Sequence, residues 1–161
     1  MIQKTASEGD NTNERADMRP QPVSSGMTND TPTSGTVMVI DDDRFLADMY
    51  SMKFMQKGFA VETYQSVREA LAALRSGLKP IVILFDIVMP GEDGLEFLRV
   101  VKTEKLAESA ALIALTNQGS DVDKSHAEEL GADAYIVKAS MIPSEVVTAT
   151  VREMEKKKSI K

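Results

Sequence analysis

Ile81-Val82-Ile83-Leu84-Phe85-Asp86-Ile87-Val88-Met89-Pro90-Gly91-Glu92-Asp93-Gly94 opens with an unbroken apolar run and closes on a Gly- and Pro-bearing turn. A short apolar run without helical gaps reads as a strand, Ile81 to Phe85, buried on both faces. It delivers the carboxylate of Asp86 to its carboxyl end. Ile87 to Gly91 then forms a rigid loop, and Gly94 to Lys105 reads as a helix with Leu95, Leu98 and Val101 on one side.

The same unit recurs on either side. Upstream, Val37 to Ile40 is a buried strand and Asp43 caps a helix over Arg44–Lys57. The apolar stripe of that helix is read as Phe45, Met49, Met52 and Met55, and Gly58 stops it. Phe59 to Tyr64 is a strand, and Ser66 caps a helix over Val67–Arg75 that ends before Gly77. Downstream, Ala111–Leu115 and Ala134–Val137 are strands. Between them lies a short polar helix, Asp121–Leu130, closed by Gly131. Ser144–Lys157 is the last helix, packing through Val146, Val147, Ala149, Thr150 and Val151. Apolar strands alternating with amphipathic helices imply a parallel sheet covered on both faces. Five units are too few for an eight-fold barrel. The fold class is therefore α/β, a flavodoxin-like doubly wound (βα)5 sheet of strand order 2-1-3-4-5, with ligands bound beyond the strands' carboxyl ends.

Composition limits the function. The chain has 161 residues, a net charge of −6 and no cysteine. Disulfides, thiolate metal sites and cysteine nucleophiles are excluded. Residues 1–35 carry no aromatic side chain and are rich in Ser, Thr, Asn, Gly and Pro, which reads as a disordered tail. The domain is placed at residues 36–158, with 159–161 as a short C-terminal tail. Neither part has the cationic excess that duplex binding needs, so no direct nucleic-acid contact is expected. No apolar run is long enough to cross a membrane, and a cytoplasmic location follows by default. Lys156, Lys157, Lys158 and Lys161 read as a solvated helix end.

The chemistry lies in the residues at the strand ends. Strand one ends in Asp41-Asp42-Asp43, strand three in Asp86, strand four in Thr116 and strand five in Lys138. A parallel sheet brings these to one edge. Carboxylates crowded there need a cation, and a hard divalent ion with oxygen ligands, best magnesium, suits them. Carboxylate, metal, hydroxyl and lysine together describe phosphoryl chemistry, with Asp86 as nucleophile.

Val39-Ile40-Asp41-Asp42-Asp43, Leu84 to Leu95 with its Met89-Pro90-Gly91-Glu92-Asp93-Gly94 loop, Ala114-Leu115-Thr116, and Gly131 to Lys138 together resemble a response-regulator receiver domain of two-component signalling. The resemblance spans about residues 36–157. It implies that Asp86 is the phosphoacceptor and that Asp42 binds Mg2+ directly, Asp41 through a water. The backbone carbonyl of Val88 supplies a further ligand. Thr116 and Lys138 contact the phosphoryl group, and Thr116 with Tyr135 forms the switch. The protein is then a phosphoacceptor that assists its own phosphorylation and dephosphorylation, not an enzyme with a separate substrate.

Two departures from the family pattern stand out. Ala139 follows Lys138 where proline is usual; the reading favours a retained cis bond, which aims Lys138 into the cleft. Asn117 and Val88 flank the phosphoryl position and predict slow hydrolysis of the phosphorylated form. Other residues have plainer readings: Asp43 as a helix cap and His126 as a solvated residue of the fourth helix.

Partners implied by the resemblance are a sensor histidine kinase or histidine phosphotransfer protein as donor and a downstream protein target. No membrane contact is expected. The face between the fourth and fifth helices is the expected partner or homodimer surface. With no output domain after the last helix, a stand-alone, chemotaxis-regulator-like receiver acting by docking is expected. Two rivals remain. One is a degenerate receiver that binds partners without phosphorylation. The other is a haloacid-dehalogenase-like phosphatase using Asp41-x-Asp43, which leaves Asp86 unexplained and lacks a further acidic pair after Lys138 outside the last helix.

Overall fold

The computed structural model describes residues 35–117 and 119–160. The expectations for the tail before residue 35 and for Lys161 lie outside these residues. Five strands alternate with five helices: β1 (Thr36–Ile40), α1 (Arg44–Gln56), β2 (Ala60–Tyr64), α2 (Val67–Arg75), β3 (Val82–Asp86), α3 (Gly94–Glu104), β4 (Ala111–Thr116), α4 (Asp121–Glu129), β5 (Ala134–Val137) and α5 (Pro143–Ile160). The sheet runs β2-β1-β3-β4-β5 and every pair in it is parallel, as the alternation requires. Central β3 is buried along its whole length. Among the described residues no helix is long and apolar enough to cross a membrane. The last helix continues through Ile160, past the boundary drawn at residue 158.

Strand residues alternate between two cores. Val37, Val39, Val82, Leu84, Ala111, Ile113, Leu115 and Ile136 face the layer holding α1 and α5. Met38, Ile40, Ile83, Phe85, Leu112 and Ala114 face the layer holding α2, α3 and α4. Carried one step past the strands, the alternation turns Asp41, Asp86 and Lys138 toward the α1–α5 side. Thr116 and Tyr135 fall on the other.

The stripe expected on α1 is corrected. Phe45 is 70% exposed, Met55 55% and Met52 50%, whereas Ala47, Tyr50 and Phe54 face the sheet. Both sets have helical spacing. The inward set places its two large rings in the core shared with β1, β3 and α5, and Phe54 packs edge-on against Phe59 with ring centroids 6.0 Å apart. The caps are as read: the side chain of Asp43 accepts from the Leu46 amide and that of Ser66 from the Glu69 amide. Gly58, Gly77 and Gly131 all follow helices at positive φ. In α5, Val146, Val147 and Thr150 are buried as expected, and Met154 joins them.

Candidate phosphoryl and metal site

At the carboxyl edge of the sheet, Asp41, Asp42 and Asp86 each offer a carboxylate oxygen, all within 4.8 Å of one another. Asp41 and Asp86 are buried and Asp42 is exposed. The two buried carboxylates are held in the same way. Asp41 accepts the Asp43 amide on Oδ1 at 2.9 Å, and Asp86 accepts the Val88 amide on Oδ1 at 3.2 Å. Their Oδ2 atoms share one ammonium: Lys138 Nζ donates to Asp41 at 2.9 Å and to Asp86 at 3.1 Å. One buried cation thus faces two buried carboxylates and a third at the rim. The uncompensated negative charge fits a divalent cation with oxygen ligands.

The electrostatics follow from burial. Desolvation pushes the Asp86 carboxyl up to about 6; the charge of Lys138 opposes this and that of Asp41 reinforces it. Burial works against the Lys138 ammonium, but its bonds and charge contacts with Asp41 and Asp86 outweigh it and hold the group above its ordinary value. Tyr50, which is buried in α1, feels the same cluster. Burial raises its hydroxyl to about 12, with Lys138 opposing and Asp41, Asp86 and Asp43 adding to the rise.

The geometry behind Asp86 depends on Gly94. A Cβ there would strike the Asp86 carbonyl oxygen and come within 2.7 Å of the Ile87 Cα. The bare backbone instead donates its N–H to the Ile87 carbonyl at 2.8 Å. Between Asp86 and Gly94, Val88–Met89 pairs with Glu92–Asp93 in a two-residue antiparallel ladder. Val88 is 66% exposed at this turn.

Thr116 is buried at the end of β4, one position past Leu115, the register partner of Asp86. Tyr135 on β5 is half-buried, and its hydroxyl accepts the Ser120 amide at 3.4 Å. The expectation of a cis bond at Lys138-Ala139 is overturned: the described chain has no cis peptide. A 3-10 turn over Lys138–Ser140 follows β5, and the trans backbone still delivers Nζ between the two carboxylates. The long lysine stem, not the peptide geometry, supplies the reach. His126 is exposed, as read. Asp43 commits its carboxylate to the Leu46 amide, which counts against a catalytic Asp41-x-Asp43 pair.

Sequence reading missed two neighbours of the site. Tyr50 was hidden by the competing methionine stripe. Glu92 was an unremarked member of the loop, yet its carboxylate accepts the amide of Val67, 25 residues away.

The fold and the carboxyl-edge cluster define a receiver of the two-component kind, and comparison with known proteins agrees. Residues 37–151 match the response regulator receiver domain family, and the chain belongs to it. The DNA-binding response regulator MtrA of Mycolicibacterium paratuberculosis is 32% identical over 102 residues, which are 63% of this chain and 44% of that protein. The chain thus spans less than half the length of this relative. Among solved structures, the chemotaxis response regulator CheY4 of Vibrio cholerae is 28% identical with a TM-score of 0.66, covering 74% of this chain and 97% of its own. A CheY-like receiver domain protein of Methanospirillum hungatei JF-1 is 25% identical with a TM-score of 0.69, covering 78% and 98%.

Proposed function

We propose that the chain accepts a phosphoryl group on Asp86 and that this biases its binding to a downstream protein. The observation that carries the reading is the single Lys138 ammonium shared by two buried carboxylates, with Asp42 completing a cation-sized acidic cluster. A carboxylate oxygen of Asp86 attacks the phosphorus of a phosphohistidine on a sensor kinase or histidine phosphotransfer protein. The phosphorus–nitrogen bond breaks, and its electron pair returns to the imidazole, which takes up a proton. The new acyl phosphate is later attacked by water, which releases inorganic phosphate and restores the carboxylate.

The chain's own groups prepare this step. The Val88 amide orients Asp86 Oδ1, and Lys138 moves from Asp86 Oδ2 to a phosphoryl oxygen as charge grows there. Thr116 donates its hydroxyl to another phosphoryl oxygen. Asp41, Asp42, Asp86 and the Val88 carbonyl would hold Mg2+, which would supply electrostatic neutralisation of the transferring group. Tyr135, tied to Ser120 at the start of α4, reports the state of Thr116 to the α4–α5 face, where a target or a second copy docks. MtrA is described as DNA-binding; the present chain, at −6, lacks the cationic excess for duplex contact, so its output is read as protein docking.

Incubation with acetyl phosphate and magnesium, read by intact mass, tests this. The expected result is a gain of one phosphoryl group that is lost in Asp86→Asn and without the metal. No gain, or a gain that survives Asp86→Asn, overturns the reading in favour of a phosphorylation-independent binding module. Decay of the same mass peak should be slow, and faster in Val88→Asn and Asn117→Ala.

A further inference from the structure

The turn after Asp86 is anchored at both ends. Toward α3, Gly94 donates to Ile87 and the Asp93 side chain caps the helix by accepting the Leu95 amide. Toward α2, the half-buried Glu92 carboxylate accepts the Val67 amide at 2.6 Å. Val67 is the first residue of α2, and the Ser66 hydroxyl already takes the Glu69 amide. Glu92 therefore satisfies a donor that the cap leaves over, with its charge at the positive end of the helix. A charge-assisted bond of this length is among the stronger contacts on the molecule.

Val88 lies on the opposite strand of the same two-residue ladder, where Met89 pairs with Glu92 and Val88 with Asp93. Its side chain is 66% exposed and gives the turn little packing to rest on. We propose that Glu92 is a positioning residue: by clamping the ladder to the start of α2, it holds the Val88 carbonyl where the metal site needs it. This rests on the reading of the acidic cluster as a magnesium site. Magnesium demands near-ideal octahedral geometry, so a carbonyl that drifts weakens binding more than it weakens the fold.

Magnesium titration of the full chain by calorimetry, beside urea unfolding in EDTA, tests the proposal. Glu92→Ala should weaken Mg2+ binding by about tenfold, the lower end of what loss of an outer contact does at metal sites. Glu92→Gln keeps an acceptor oxygen and should recover most of the affinity. Val67→Pro deletes the donor in a position that suits proline, the first of a helix, after a residue already extended at φ −143 and ψ 155. It should match Glu92→Ala, and the double variant should be no worse than either. Lower stability with unchanged Mg2+ affinity overturns the proposal, as does additivity in the double variant. If Glu92→Ala does not fold, Val67→Pro decides by itself. A parent chain that binds no Mg2+, or binds it equally after Asp42→Asn, overturns the phosphotransfer reading and this proposal together. The two failures are therefore distinct.

Discussion

Asp86 is held in its charged form against the preference of its surroundings. Its folded pKa, about 6, lies above the ordinary 3.8. A raised acid favours folding while it is protonated, so that contribution is complete below about pH 3.8 and is lost as the pH rises through 6. At neutral pH the metal-free fold carries the ionised group at a cost, which a shift of about two units bounds at roughly 3 kcal/mol. An amide does not titrate. Asp86→Asn should therefore gain stability over the parent by on the order of 1–2 kcal/mol between pH 4 and pH 7.5, read by urea unfolding in EDTA. An equal difference at both pH values would show that Lys138 compensates the charge fully. On the proposed reading, a cation and a phosphoryl group at Asp86 would relieve this cost.

At the scale of elements, α1 carries the clearest test. Its inward residues are Ala47, Tyr50 and Phe54, and Phe45 looks outward. Phe54→Ala should cost about 3–5 kcal/mol, because a buried ring leaves a cavity under the helix. Phe45→Ser should stay within about 0.5 kcal/mol. Chemical denaturation of the two variants separates the faces, and the reverse ranking would restore the Phe45 stripe. Both stripes repeat at helical spacing, so periodicity alone does not separate the methionine set from Ala47, Tyr50 and Phe54. The choice depends on which set meets the core formed with β3 and α5, a long-range matter. Other elements were legible in detail, since caps at Asp43 and Ser66 and stops at Gly58, Gly77 and Gly131 act within one turn of chain.

For the whole molecule, the proposed cation site links binding to folding. An ion that binds the folded cluster alone stabilises the chain by about 2.7 kcal/mol at a hundredfold excess over Kd. Thermal unfolding should shift upward with added Mg2+, and Asp42→Asn, at the exposed rim of the cluster, should abolish the shift while folding normally. A Tm indifferent to Mg2+ in the parent would deny the cluster its cation. The amino-acid sequence by itself determined the alternation of strands and helices, their parallel arrangement and the identity of the strand-end residues Asp41, Asp42, Asp86, Thr116 and Lys138. Periodicity, capping and turn chemistry are written within a few residues, and a parallel sheet sends every strand's carboxyl end to one edge. Only the tertiary structure decided the inward face of α1, the trans Lys138-Ala139 bond with Nζ still between Asp41 and Asp86, and the Glu92 to Val67 clamp. Each of these joins residues remote along the chain, and no local pattern encodes a contact whose partner is chosen by packing.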